Sequence, residues 1–199
     1  MLRKEASVRV SKEQAAENRE RILGCAAQLF RERGFDGIGV ADLMKAAGFT
    51  HGGFYGHFSS KEDLMAQAVA RARDESATDW NRLEAEYGKH MLQPYLAHYL
   101  SASHRDNPGK GCVMAALAAA SAHQGAPVRA MITAGIRRFV AGLARLVKGQ
   151  DELAKRQQAI TTLAAMVGAL VLARAADDTD FSDEILQAVR ERLGSIAAD

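Results

Sequence analysis

The segment FTHGGFYGHFSSKEDL, Phe49 to Leu64, gathers groups suited to holding an anion rather than to breaking bonds. Phe49, Phe54, Tyr55 and Phe58 stand close together in it, right before a good helix start. Gly52, Gly53 and Gly56 lie among them, although each glycine inside a helix costs roughly 1 kcal/mol against alanine. If the segment is a short helix, Phe54 and Phe58 are four apart and share one face, while His51 and Tyr55 share another. The phenylalanines, with Phe49, would pin the helix to a small core. The bare glycines would let its backbone approach a phosphate or base closely, and the N–H groups at its start could take a phosphate. The alternative is a glycine-rich loop between two helices, with the aromatics merely in the core.

Other reactive groups are scattered. His90, His98, His104 and His123 are spaced 8, 6 and 19 apart, so no pair falls at i and i+4 as in an HExxH metal site. Carboxylates are not organised around them, and there is no phosphate loop, dinucleotide fingerprint or nucleophile elbow. A small helical enzyme is therefore the weaker reading, and no metal or cofactor is expected. The two cysteines, Cys25 and Cys112, form no CxxC pair and fit a reduced, cytoplasmic setting. Cys112 opens a predicted helix after Gly109-Lys110-Gly111, and a helix start beside a cation can activate a thiol. An inert, buried cysteine is the competing reading, and Cys25 reads as plain core.

The elements that must position these groups are helical. Ile22, Ala26, Leu29 and Phe30 form one apolar stripe on a helix from about Glu13 to Arg33, ended by Gly34. A link through Phe35-Asp36-Gly37-Ile38-Gly39 leads to a short helix, Val40–Ala47, with Leu43, Met44 and Ala47 inward and Gly48 as its stop. Thr50 is the expected N-cap of a second short helix to His57. Ser60, with Asp63 three residues on, has the spacing of a capping box opening a long helix to about Glu86. Two short helices joined by a tight turn make a helix-turn-helix, whose second helix enters the DNA major groove. Further helices are expected at Lys89–Ser103, Cys112–His123, Pro127–Val147, Glu152–Ala176 and Ser182–Ile196, so the fold class is all-α. No alternating strand pattern, internal repeat or low-complexity tract is evident.

The run from Asn18 to Leu64, above all RERGFDGIGVADLMKAAGFTHGGFYGHFSSKEDL, resembles the DNA-binding domain of TetR-family transcriptional regulators. The rest resembles that family's helical ligand-binding and dimerisation domain more loosely. The resemblance implies a DNA-binding domain over 1–60 and an effector and dimer domain over 61–199. It implies that Tyr55 and Lys61 contact phosphates, that Thr50 lies near the DNA backbone, and that His51 and Gly52 reach base edges. His57 would support the helix junction. One departure is that Gly39 and Val40 stand where many relatives have Thr or Ser capping the second helix. Arg3, Lys4 and Arg9 could form an arm on DNA or a solvated terminus.

The same resemblance implies a homodimer on a near-palindromic operator. Its expected interface is Leu163, Met166, Val167, Leu170 and Val171 with Ile185, Leu186, Val189 and Leu193, and an ordinary monomer core is the alternative for these residues. An unknown small-molecule effector would sit among the middle helices, with Trp80, Met91, Tyr95, Tyr99, Cys112, Leu117 and Phe139 as candidates, each equally able to be core. The function implied is a repressor released by a small molecule or electrophile, with an activator possible on the same architecture.

Size and charge agree with this. The chain of 199 residues is 48% hydrophobic and 25% charged, an ordinary globular mixture with a net charge of +2. Residues 1–61 carry ten basic and seven acidic groups, while the remainder carries 16 and 17, so the N-terminal third is the basic part. The low total argues against a nonspecific architectural DNA binder, which would rest on phosphate neutralisation. The start, MLRKEASVRVSKEQ, has no apolar core of a signal peptide. The most apolar stretch, Ala159 to Ala176, is broken by Thr161 and Thr162 and reads as a buried helix rather than a membrane span.

Overall fold

The computed structural model of the chain describes residues 12–196. Arg3, Lys4 and Arg9 lie outside the described residues. Nine α-helices and three short 3-10 segments occur among them, with no β-strand.

Helix α1 (Lys12–Arg33) buries Ile22, Ala26, Leu29 and Phe30, the stripe read from the sequence. Gly34 follows with φ of 75°, a left-handed conformation that favours glycine. Helix α2 (Val40–Ala46) starts at Gly39, whose backbone carbonyl takes the first helical bond without a side-chain cap. It ends before Gly48, also at positive φ. The segment His51–Gly56 is a 3-10 helix, not the expected α-helix, and the Thr50 side chain does not cap it. Three glycines in six residues give little α-helical propensity, so the tighter turn is what remains.

Helix α3 (Lys61–Tyr87) opens as the capping box predicts. Ser60 Oγ accepts the Asp63 N–H at 3.0 Å. Asp63 answers one residue earlier than the box requires, accepting from the N–H and hydroxyl of Ser59, each at 3.0 Å. These bonds, and first the one from Gln67, hold the Asp63 carboxyl below its usual range.

The expected helix Lys89–Ser103 is broken in two, α4 (Leu92–Tyr99) and α5 (Ala102–Asp106). Leu100 leaves helical geometry, and Ser101 restarts the chain by capping the His104 N–H at 3.2 Å. Helix α6 is Val113–Ser121, α7 is Ala126–Ala144 and α8 is Glu152–Ala175. Helix α9 runs Thr179–Gly194, three residues earlier than expected, because Asp178 rather than Ser182 accepts the capping N–H. Ser182 is instead buried and donates to the Ala173 carbonyl at 2.7 Å, tying α9 to α8.

Helix α3 packs along α1 near its start and along α7 further on, and α8 packs between α7 and α9. By length and composition α8 meets the criterion for a membrane span, with a mean hydropathy of 1.5, which the sequence reading did not anticipate. Its inner face, including Met166 and Leu170, joins the core, while Ile160, Val171 and Leu172 are exposed.

Candidate nucleic-acid interface and internal cavity

The sharpest contrast in the N-terminal region is between neighbours. Phe54 is 1% exposed and Tyr55 is 72% exposed. Phe54 stacks on Phe58 with ring centroids 5.7 Å apart, and both are buried in the core of α1, α2 and α3. Two cations from α1 hold the segment from outside. The Arg19 guanidinium lies 5.2 Å over the Phe58 ring, and Arg21 lies 5.1 Å over Phe49. Arg19 also bonds to Gln67 of α3.

On the outer side, Thr50, His51, Gly52 and Tyr55 are exposed, and the His51 and Tyr55 rings are 6.4 Å apart. His57 and Lys61 are half-buried beside them, with the His57 ring 6.5 Å from Phe49. Gly52 and Gly56 have ordinary negative φ, and a Cβ added at either would meet no atom within 4 Å. Neither backbone strain nor internal crowding requires glycine at these two positions. Besides lowering the helical propensity of the segment, they leave its outward surface bare.

A second feature lies between the middle helices. A cavity of about 980 Å³ is lined by Trp80 of α3, Tyr95 and Tyr99 of α4, Cys112 and Phe139 of α7. Met91 and Leu117, the other two expected pocket residues, do not line it. Both are fully buried in the core. Trp80 meets Tyr95 edge-on at 4.9 Å and Phe139 at 6.0 Å, so the aromatics form one wall. Polar residues that the sequence reading missed line the rest, among them Arg73, Asp79, His104 and Arg138.

His104 is the most informative of these. Its Nδ1 is 2.7 Å from the Tyr99 carbonyl, and its Nε2 accepts the Cys112 N–H at 2.9 Å. A carbonyl can only accept and an amide can only donate, so the ring is neutral with its proton on Nδ1. Burial, against the favourable bond to Tyr99, pushes its pKa down to about 4. Nothing in the sequence marked a helix start at Ser101 or pointed His104 at Cys112.

The apolar residues of α8 and α9 divide between two faces. Leu163, Met166, Leu170, Leu186 and Leu193 are buried within the chain itself, so these five of the nine expected interface residues offer no surface to a partner. Val167, Ile185 and Val189 are half-buried and Val171 is exposed. Leu153, Ile160, Leu172 and Phe181 join them on the outside. Among the described residues no group of three or more His, Cys, Asp or Glu could hold a metal ion.

Residues 22–68 match the family model for bacterial regulatory proteins of the tetR family. The HTH-type transcriptional regulator AcrR of Shigella flexneri is 35% identical over 79 residues, covering 40% of this chain and 35% of the relative. The HTH-type transcriptional repressor BepR of Brucella suis is 41% identical over 66 residues, covering 33% of this chain and 32% of the relative. The matches thus span about a third of these relatives' lengths. In three dimensions the likeness is longer. A TetR-family regulator from Agrobacterium tumefaciens superposes with a TM-score of 0.76 at 24% identity, covering 92% of this chain and all (100%) of that one. The reduced form of NemR from E. coli gives 0.74 at 24% identity over 92% and 97% of the two chains. The fold of the described residues is therefore that of these regulators, and the motif-bearing third matches at the level of sequence. Over residues 22–68 the chain carries the tetR-family region of bacterial regulatory proteins, on a fold that the solved regulators share.

Proposed function

We propose that the chain is a homodimeric, cytoplasmic DNA-binding regulator of transcription. It acts as a repressor, released from a near-palindromic operator when a small molecule or electrophile engages the cavity. The observation that carries the DNA-binding reading is the outward face of His51–Gly56. Tyr55 is exposed beside buried Phe54, and two glycines there serve no internal need. Thr50, Tyr55 and Lys61 are read as backbone contacts, and His51 and Gly52 as base-edge contacts, with His57 supporting the junction.

The dimer reading rests on an apolar stripe whose residues are exposed or half-buried. Ile160, Val167 and Val171 are spaced 7 and 4 apart on α8, and Phe181, Ile185 and Val189 are spaced 4 apart on α9. Pairing these stripes about a two-fold axis would set two recognition segments about one DNA turn, ~34 Å, apart. Effector then acts by binding the DNA-free spacing more tightly than the DNA-bound one.

The test is a gel-shift titration of the purified protein on the DNA upstream of its own gene, with a scrambled duplex as control. Specific regulators prefer their site by on the order of 10³-fold or more. Equal, weak binding to both duplexes and to a library of genomic fragments would refute the reading.

A further inference from the structure

The charges lining the cavity do not balance. Arg145 is matched by Glu84 at 3.0 Å. The other two carboxylates of the lining are held by cations outside it. Glu75 is held by Arg31 and Arg71, at 2.8 and 3.0 Å, and Asp79 by Arg82 at 3.6 Å, with His98 at the same distance. Arg73, Arg138 and Lys110 remain. Arg73 of α3 and Arg138 of α7 share a single oxygen, Oδ1 of Asp74, at 3.1 and 3.6 Å. Lys110 has no ion-pair partner among the described residues. Next to the lining residue His104, Arg174 of α8 donates to the neutral carbonyls of His104 and Arg105, at 2.8 and 3.0 Å. The cavity therefore carries an excess of positive charge.

The arginines and the aromatic wall lie along the same two helices. Arg73 and Trp80 are seven residues apart on α3, about two turns or ~10 Å. Gly135 and Gly142 have the same spacing on α7. A Cβ at Gly135 would lie 3.9 Å from Arg73 Cδ, and one at Gly142 would strike the Trp80 ring at 2.9 Å. Around that ring, Tyr95 stands edge-on at 4.9 Å, and Phe139 lies 6.0 Å from both Trp80 and Tyr95. Such a wall receives a flat ring in edge-on or offset contact. At the other end, planar guanidinium forks match the geometry of a carboxylate. Arg138 is exposed and Arg73 half-buried, so an anion held there keeps part of its water. The two-turn separation suits a fused two-ring acid better than a single ring.

We propose that the cavity binds a planar, two-ring aromatic carboxylate, whose acid group lies between Arg73 and Arg138 while its rings lie against Trp80 and Phe139. The ligand supplies the second carboxylate that the two arginines lack, and Lys110 adds to the attraction. This rests on reading the cavity as the effector site and names the class of effector. It is a non-covalent site and does not require Cys112 to react.

The experiment titrates DNA-free protein by calorimetry with 2-naphthoate and with 2-naphthamide, which has the same shape and no charge. At low salt naphthoate should bind about tenfold or more tightly than the amide, and added salt should shrink that preference. Two exposed positions should then move the ratio of naphthoate to naphthamide affinity in opposite directions. Arg138→Gln leaves Asp74 matched by Arg73 alone, and the ratio should fall about three- to tenfold. Asp74→Asn releases both arginines, and the ratio should rise about threefold or more. The amide's own affinity should change in neither variant. Phe139→Leu should weaken both ligands together and leave the ratio alone. Equal affinity for the two ligands, or a ratio that either charge variant leaves unmoved or moves the other way, overturns the anionic class. Absence of saturable binding by both ligands, or their indifference to Phe139→Leu, overturns the aromatic wall. No DNA is present, so intact naphthoate binding beside absent operator binding would sink only the regulator reading, and the reverse would sink only this one.

Discussion

Arg31 of α1 donates from Nη1 to the carbonyl of Gly111, the residue before Cys112, at 3.4 Å across 80 positions of sequence. The same guanidinium holds Glu75 of α3 at 2.8 Å and is only 5% exposed. The loop that carries the cavity wall is thereby fastened to the first helix of the helix-turn-helix. A Cβ at Gly109 would strike the Glu32 carboxylate at 2.3 Å, so the loop touches α1 at a second point. This is a contiguous path from the cavity to the proposed DNA-binding surface, of a kind that can carry coupling between them. Arg31→Met should lower stability by about 1–2 kcal/mol in a urea melt, since Glu75 is partly exposed and keeps Arg71 at 3.0 Å. Its stronger effect should be on coupling. A cavity ligand that weakens operator binding in the wild type should change it by less than about twofold in the variant, against the 5–150-fold usual for allosteric pairs. An undiminished response would route the signal through α3 alone.

The outward groups of the recognition segment should separate by role. Lys61→Ala should weaken binding to all duplexes and reduce the salt slope by about 1, as loss of one phosphate contact does. Tyr55→Phe should weaken all duplexes without changing that slope, because it removes a hydroxyl and no charge. His51→Ala should alter the preferred sequence, measured by selection from a randomised duplex pool. Equal loss on every sequence for His51→Ala would assign it to the backbone instead.

How far the sequence disclosed this arrangement depends on how local each signal was. Gly34, Gly48 and Ser60 act within a few residues of themselves, and the boundaries they imply hold in the structure. The break after Tyr99 had no such marker, because Leu100 is an ordinary helix former whose departure is imposed by packing. The cavity was half legible. Aromatic residues on the middle helices pointed to it, but Arg73, Asp79 and His104 are brought in by tertiary folding, and no spacing encodes that. On α8 and α9 the apolar residues were read as a single set. Burial separates them into a core-facing group around Met166 and Leu170 and an outer stripe around Val171, a division that the helical period contains once the inward face is known.

Acid should expose the cost of keeping His104 neutral. Its folded pKa of about 4 lies below the unfolded value of about 6.5, so the unfolded chain takes up a proton that the folded chain refuses. The contribution to stability is full above pH ~6.5 and declines as the pH falls toward ~4, by up to roughly 3 kcal/mol. His104→Gln removes the titrating group. Its melting temperature should therefore be less steep in pH than that of the wild type across this window. Parallel curves for the two proteins would mean that the ring is not held neutral by the contacts described. The lowered carboxyl of Asp63 acts at lower pH and in both proteins, so it does not disturb the difference.

The outer stripe of α8 gives a direct test of the dimer. Val171→Glu places a charge on an exposed position and leaves the chain's own core untouched, so the protein should fold and sediment as a monomer. Leu170→Glu, at a fully buried neighbour, should instead fail to fold. The Val171→Glu monomer should lose at least about tenfold in operator affinity, since each half-site then binds alone. A persistent dimer in sedimentation would move the interface elsewhere.

Gly52 and Gly56 offer the plainest conflict between stability and function. Both sit at negative φ, and a Cβ at either meets nothing within 4 Å. Alanine is therefore compatible with the folded backbone at both sites, and it restricts the unfolded chain more than glycine does. Gly52→Ala and Gly56→Ala should each raise stability, by about 0.4–1 kcal/mol in chemical denaturation. If the bare surface exists so that DNA can approach the backbone, the same variants should lose operator affinity while retaining their dimer and their cavity ligand. A gain in stability with undiminished DNA binding would remove the argument that glycine is kept there for the duplex. A loss of stability would show that the segment strains against a side chain in a way the geometry does not predict. Stabilisation together with weakened binding is the outcome expected of a surface shaped for a partner rather than for the fold.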